Sequence, residues 1–249
     1  MRGKAGINVK RNHNHQLFVT IVKKNQASKL VKAAKEAGAE GATILYARGS
    51  GIHENKEFLG IPMENEKELI LTVAKQRIMK NIVEAVVRAG SLNQSGKGIG
   101  FIISLPHITG ISHLKKEIDE TDDDFKMEGV DFMAEEHIPF ELIVTIVNKG
   151  EADLVLDSSM EAGAEGGTVI NGRGSGIHEK ATFFNIPIEP GKDVVLTLIH
   201  QKRREKVLKA IETGVGLNES GKGIAFVIDV ERVVGINHVI DELKDGKKK

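Results

Sequence analysis

No cysteine occurs among the 249 residues, which rules out disulfides, thiolate-bound zinc and thiol nucleophiles and fits a reducing compartment. Neither sign of charge is in excess. Lysine plus arginine (35) equals aspartate plus glutamate (35), so there is no electrostatic case for bulk binding to nucleic acid or to an anionic membrane. Nucleic acid is therefore disfavoured as a partner. No apolar run approaches the ~20 residues of a membrane-spanning helix. The opening MRGKAGINVKRNHNHQ is basic and polar, lacks the apolar core of a secretory signal, and carries His13 and His15 as solvated side chains. A cytoplasmic protein is the simplest reading. What is present is ordinary: 40% hydrophobic and 28% charged residues, enough to bury a core.

The chain repeats itself. RGSGIHE stands at 48–54 and again at 173–179, EAGAEGATI at 36–44 becomes EAGAEGGTV at 161–169, and NQSGKGIGF at 93–101 becomes NESGKGIAF at 218–226. All these pairs are 125 residues apart, with no insertion between them. Two domains follow, 15–114 and 140–239, joined by an acidic linker over 115–139 that reads as partly ordered, or as a short amphipathic helix.

Within one unit QLFVTIV reads as a buried strand. ASKLVKAAKEAG carries apolar residues three and four apart before a glycine stop, and GATILYAR reads as a second strand. The alternating ELILTV, a helix over 76–89 and the strand GIGFIISL complete a β-α-β-β-α-β order. This predicts an α+β fold: two tandem ferredoxin-like units, each an antiparallel sheet with both helices on one face. Such a scaffold serves many functions, so function has to be sought in the loops.

Two glycine-rich stretches stand out. In one reading Gly49, Gly51, Gly96 and Gly98 turn backbone N–H groups toward an anion, with Arg48 and Lys97 adding charge; in the other they are turns at positive φ. Retention of RGSGIHE in both copies favours the first. GLNESGKG at 216–223 imitates a Walker A loop, but Gly223 stands where Ser or Thr must hold magnesium, and the context is helix to strand. His53 with Glu54, and His178 with Glu179, are weak candidates for metal ligands or an acid/base pair, without a third ligand at metal spacing. No nucleophile constellation repeats beyond these residues, so the chain does not read as an enzyme.

These residues resemble the PII signal-transduction family. GKGIAFVIDVERVVGI at 221–236 is similar to the family's signature around its fourth strand, and GATILYARGSG at 41–51 to its second strand and the glycine turn after it. The resemblance covers both repeats. It implies trimers that bind ATP or ADP between subunits, sense 2-oxoglutarate and control transporters or enzymes through an extended loop. Carried over by position, it places Thr43 and Val73 near the base, Gly49, Ser50, Gly51, Ile52 and His53 along the nucleotide, and Gly96, Lys97 and Gly98 at the phosphates. In the second copy the same places fall to Thr168 and Leu198, to Gly174, Ser175, Gly176, Ile177 and His178, and to Gly221, Lys222 and Gly223. Arg48, Glu54, Arg173 and Glu179 flank these stretches.

The departures matter as much. Ile99 and Ile224 stand where the family has a phosphate-binding lysine. Gly110, Ser112, Gly235 and Asn237 stand where it has arginines, and His53 and His178 replace the glutamine that holds magnesium and 2-oxoglutarate. The resemblance thus implies a regulator with a small anionic effector, ATP, ADP or AMP or another anion, and a protein partner such as a membrane transporter or a metabolic enzyme, assembled as a homotrimer. A metal- or anion-binding protein of the same trimeric fold, without nucleotide signalling, is the alternative.

Overall fold

The computed structural model describes residues 15–51, 57–58, 61–62, 65–106, 108, 139–174, 182–183, 186–187 and 190–235. The expected linker therefore lies outside the described residues, apart from Pro139. In the first repeat β1 (His15–Lys23) is followed by α1 (Ala27–Glu36), β2 (Thr43–Gly51), the two-residue strands β3 (Glu57–Phe58) and β4 (Ile61–Pro62), β5 (Asn65–Lys75), α2 (Gln76–Gly90) and β6 (Ile99–Leu105). The second repeat runs through β7 (Phe140–Asn148), α3 (Ala152–Glu161), β8 (Gly166–Arg173), the short β9 (Thr182–Phe183) and β10 (Ile186–Pro187), β11 (Gly191–His200), α4 (Arg204–Val215) and β12 (Gly223–Val230). A three-residue strand, β13 (Arg232–Val234), closes it. The β-α-β-β-α-β order expected from the apolar periods is present twice, with antiparallel pairing throughout.

The alternation of side chains across each strand divides the apolar residues between two faces. On one face Phe18, Val22, Ile70 and Ile102 meet α1 and α2 through Leu30, Ala34, Met79, Ile82 and Val86. Ile143, Val147, Val195 and Ile199 meet α3 and α4 likewise through Val155, Leu156, Val207 and Ile211. The opposite faces of the two repeats' strands meet each other in a third core that contains Val19, Ile21, Leu69 and Phe101 from one repeat and Leu142, Val144 and Val230 from the other.

Neither α1 nor α3 has a side-chain cap from its own N-cap residue. At α1 the N–H groups of the N-cap and first helical residue are instead met from the neighbouring sheet, and at α3 the same sheet position holds the residue just before the N-cap. Glu68 Oε2 accepts from the backbone N–H of Gln26 (3.0 Å) and Ala27 (2.8 Å), and the equivalent Asp193 Oδ2 accepts from Gly150 (2.8 Å). Both carboxylates are buried, and these bonds are what makes their burial tolerable.

Nine of the described strands form one sheet in the order β12-β7-β11-β8-β2-β5-β1-β6-β13, while β3 pairs with β4 and β9 with β10 apart from it. Its first and last strands are consecutive in the chain, separated by Glu231 alone, so the sheet curls round the third core. Two seams join the repeats. One pairs β2 with β8, from Ala47 opposite Ile170 to Gly51 opposite Gly166, and the other pairs β13 with β6, from Arg232 opposite Ile102 to Val234 opposite Gly100.

Candidate functional site

The loop after the second helix of each repeat is built the same way twice. α2 ends in a left-handed Ser91 (φ 54°) and α4 in a left-handed Gly216 (φ 74°). Leu92 is fully buried beneath its loop. Gln94 N–H donates to Ser91 O (2.9 Å) and Lys97 N–H to Gln94 O (3.3 Å); Glu219 N–H to Gly216 O (2.9 Å) and Lys222 N–H to Glu219 O (3.3 Å) repeat the pattern. Gly96 and Gly221 have φ of 71° and 83°, Gly98 and Gly223 of 138° and 139°.

The two glycines of each loop do different work. A Cβ on Gly98 would stand 2.6 Å from Ile21 O, and one on Gly223 only 2.3 Å from Ile146 O, so these glycines let the loop lie on the central strand. A Cβ on Gly96 or Gly221 would meet nothing within 4 Å. Those two positions need glycine for φ alone and face open space, where a ligand can approach. Lys97 is exposed beside Gly96 and Lys222 half-buried beside Gly221. Asn148 Nδ2 ties the second loop to β7 by donating to Gly221 O (3.3 Å). The loop runs from helix to strand, as the rejection of a Walker A reading requires.

The RGSG segment is not a turn in the first repeat. Arg48–Gly51 continues β2, paired with Gly166–Val169 of β8, and Gly49 lacks a positive φ. Pairing with a neighbouring strand keeps a glycine-rich stretch extended where local composition signals a reversal. Arg48 Nη1 lies 3.2 Å from Asp153 Oδ1 in the first turn of α3, an ion pair across the two repeats. Thr168 is buried opposite Gly49, whereas its equivalent Thr43 is exposed at the other end of β2. Val73 is exposed and Leu198 half-buried. In the second repeat β8 ends at Arg173 and Gly174 follows it; Ile52, His53 and Glu54, and Ser175, Gly176, Ile177, His178 and Glu179, lie outside the described residues.

Within one repeat β2 and β6 are opposite edges of the sheet, with β5 and β1 between them. Gly49 and Gly96 are therefore on separate edges. The contact between repeats joins β2 to its own counterpart β8, and β6 to the strand that follows its counterpart β12. The expected cleft between the strand-two segment and the glycine loop is consequently not formed by the paired edges of a single chain. Between α1 and the start of β2 lies a shallow groove of about 480 Å³ lined by Ser28, Val31, Lys32, Lys35, Glu36 and Ile44, none of them among the expected site residues. Among the described residues no group of three His, Asp or Glu side chains could hold a metal ion, and no helix is long and apolar enough to cross a membrane.

His15 is a correction to its reading as a solvated side chain. It opens β1 opposite Lys75 and Leu105, its Nε2 is buried without a hydrogen-bond partner, and burial, then Lys75, pushes its pKa below 6.5. His200, at the end of β11, is lowered by burial and then by Lys202 and Arg203, and its Nδ1 accepts from Lys202 N–H (3.0 Å), which requires the unprotonated nitrogen. With folded pKa values below the unfolded value, the unfolded chain binds the extra proton first. This stability is complete above pH ~6.5 and falls as the pH drops toward the folded values. Melting temperature should therefore decline between about pH 7 and pH 5, and less steeply in a His15→Gln, His200→Asn double variant. Parallel declines in the two proteins would remove both histidines as the cause.

The model of the family described as nitrogen regulatory protein P-II matches residues 15–114 and 140–238. No curated protein matches the chain. Among solved structures it is similar to Arabidopsis thaliana PII bound to citrate, at 24% identity over 36% of this chain and 72% of that one, with a TM-score of 0.29. With the family's model matched twice over most of its length, the chain belongs to the P-II nitrogen regulatory protein family as a tandem pair of its domains.

Proposed function

We propose that this chain is a P-II regulator in which the loops at Gly96–Gly98 and Gly221–Gly223 bind a small anionic effector, a nucleotide or another anion, and report its presence to a membrane transporter or metabolic enzyme, in nitrogen metabolism. One observation carries the reading. Both loops keep the same sequence of positive φ values, with Gly96 and Gly221 facing open space beside a lysine, which supports reading both as anion sites. A nucleotide reaching from the loop to a strand-two segment needs the edge of a further chain, since the paired edges of one chain leave the two apart. The proposal therefore includes assembly of three chains, in which that edge comes from a neighbour.

Thermal shift with ATP, ADP, AMP, inorganic phosphate, 2-oxoglutarate, and magnesium or manganese alone tests the reading. A nucleotide at a hundred times its Kd should stabilise the protein by about 2.7 kcal/mol. The Lys97→Ala, Lys222→Ala variant should lose most of that shift while melting normally by itself. A shift with divalent metal alone would favour the metal-binding alternative, and no shift with any anion would sink both loops as sites.

A further inference from the structure

The two glycine loops share their backbone but not what holds it. The peptide unit between Gly221 and Lys222 is fixed at both ends: Lys222 N–H donates to Glu219 O (3.3 Å), and Gly221 O accepts from Asn148 Nδ2 (3.3 Å). Asn148 is itself oriented, since Lys192 Nζ, opposite it on β11, donates to its Oδ1 (2.8 Å). An ammonium only donates and a peptide carbonyl only accepts, so a primary amide, which does both, is able to link them. In the first repeat Lys97 N–H donates to Gln94 O at the same 3.3 Å, but the residue equivalent to Asn148 is Lys23. Lys23 is exposed opposite Lys67, and among the described residues no hydrogen bond joins its side chain to Gly96 O.

The difference falls where the loop is otherwise least constrained. A Cβ on Gly223 would meet Ile146 O and Val147 Cγ1, and one on Gly98 would meet Ile21 O and Val22 Cγ1, so both loops rest on the end of a central strand at the same place. The next residue along that strand is Asn148 in one repeat and Lys23 in the other. Gly221 stands in open space at φ 83°, and no packing fixes its peptide; the Asn148 amide does so instead. Gly96 stands in open space at φ 71°, and there the neighbouring side chain brings a charge in place of a bond.

We propose that Asn148 is a positioning residue for the second loop and makes the two anion sites of one chain unequal: the Gly221 loop is preset and binds the more tightly, while the Gly96 loop relies on the charge of Lys23 and weakens more steeply with salt. The ranking rests on the reading of both loops as anion sites. Two effects compete in it. Lys23 gives the first loop an additional exposed charge, which water and salt screen. The Asn148 bond spares the second loop an ordering cost that the first meets on binding. At physiological ionic strength the second loop should lead by about fivefold in affinity, the worth of one hydrogen bond.

Two reciprocal substitutions in the full chain test this, because charge and tether predict opposite signs. Asn148→Lys adds a positive charge and removes the tether; Lys23→Asn does the reverse, with Lys67 in place to orient the new amide as Lys192 orients Asn148. Each installs the residue that the other repeat already carries, so the fold accommodates both. Without ligand, amide hydrogen exchange at Lys222 should be at least about fivefold slower than at Lys97, although Ser-Gly-Lys-Gly surrounds both. Asn148→Lys should erase that difference, and Lys23→Asn should slow exchange at Lys97. ATP is then titrated by calorimetry at physiological and at high salt, with Lys97→Ala isolating the second loop and Lys222→Ala the first. Asn148→Lys should weaken the second loop by about fivefold despite its added charge, and Lys23→Asn should tighten the first and flatten its salt dependence. Tighter binding in Asn148→Lys, or equal exchange in the two loops of the parent, would overturn the proposal and leave charge to rank the sites. Unequal exchange with no binding of ATP or inorganic phosphate would instead sink the anion reading, and the ranking with it, leaving Asn148 a structural tie.

Discussion

Gly98→Ala and Gly223→Ala should each destabilise the protein by about 3 kcal/mol or more, while Gly96→Ala and Gly221→Ala should each cost about 1 kcal/mol. The four glycines stand in matched loops, yet only two are hemmed in. At Gly98 and Gly223 a Cβ would press on a backbone carbonyl oxygen at 2.6 and 2.3 Å, and strand backbone cannot rotate aside as a side chain can. The φ values of 138° and 139° add strain that alanine cannot relieve in place. At Gly96 and Gly221 the left-handed φ is the whole cost, because the surrounding space is open. Urea unfolding of the four single variants measures the difference. Effector titration of the two mild variants then reports on binding without a folding loss. Equal losses at all four positions would mean that packing against β1 and β7 is not what requires glycine.

These loops show how far the sequence carries and where it stops. The strands and helices were legible because their apolar periods are local: FVTIV in β1 and the three-and-four spacing of α2 need only neighbours along the chain. The caps were not. Glu68 lies about forty residues from the helix it caps, and nothing near Gln26 or Ala27 announces it. His15 was hidden by its polar neighbours in NHNHQ, though it begins a strand whose buried residues come later. The Arg48–Gly51 segment has the composition of a turn, and only its partner on the other repeat, Gly166–Val169, keeps it extended. Of the candidate site, the glycine loops are where the spacing put them, because their conformation is fixed by local bonds and by Gly98 and Gly223. Their relation to the strand-two segment depends on which edges meet, a choice made by the whole sheet.

The same dependence on long-range pairing produces the second large effect. Phe101→Ala should destabilise the chain by about 3–5 kcal/mol, and Phe226→Ala by less than about 1 kcal/mol, although the two residues occupy the same place in SGKGIGF and SGKGIAF. Phe101 is enclosed in the core between the sheets, so truncation leaves a cavity among Val19, Ile21, Leu69 and Val233 that those side chains close only in part. Phe226 is 43% exposed on β12, where water already reaches the ring and no comparable cavity can form. At the equivalent of Pro106 the other repeat has Glu231, whose N–H donates to Ile102 O as β13 begins to pair with β6 and cover Phe101. Denaturant unfolding of both variants, with the parent alongside, gives the two costs directly. Equal and large losses would show Phe226 buried in solution by a covering strand and the seam closed on both halves; equal and small ones would show Phe101 uncovered and the contact between the sheets open.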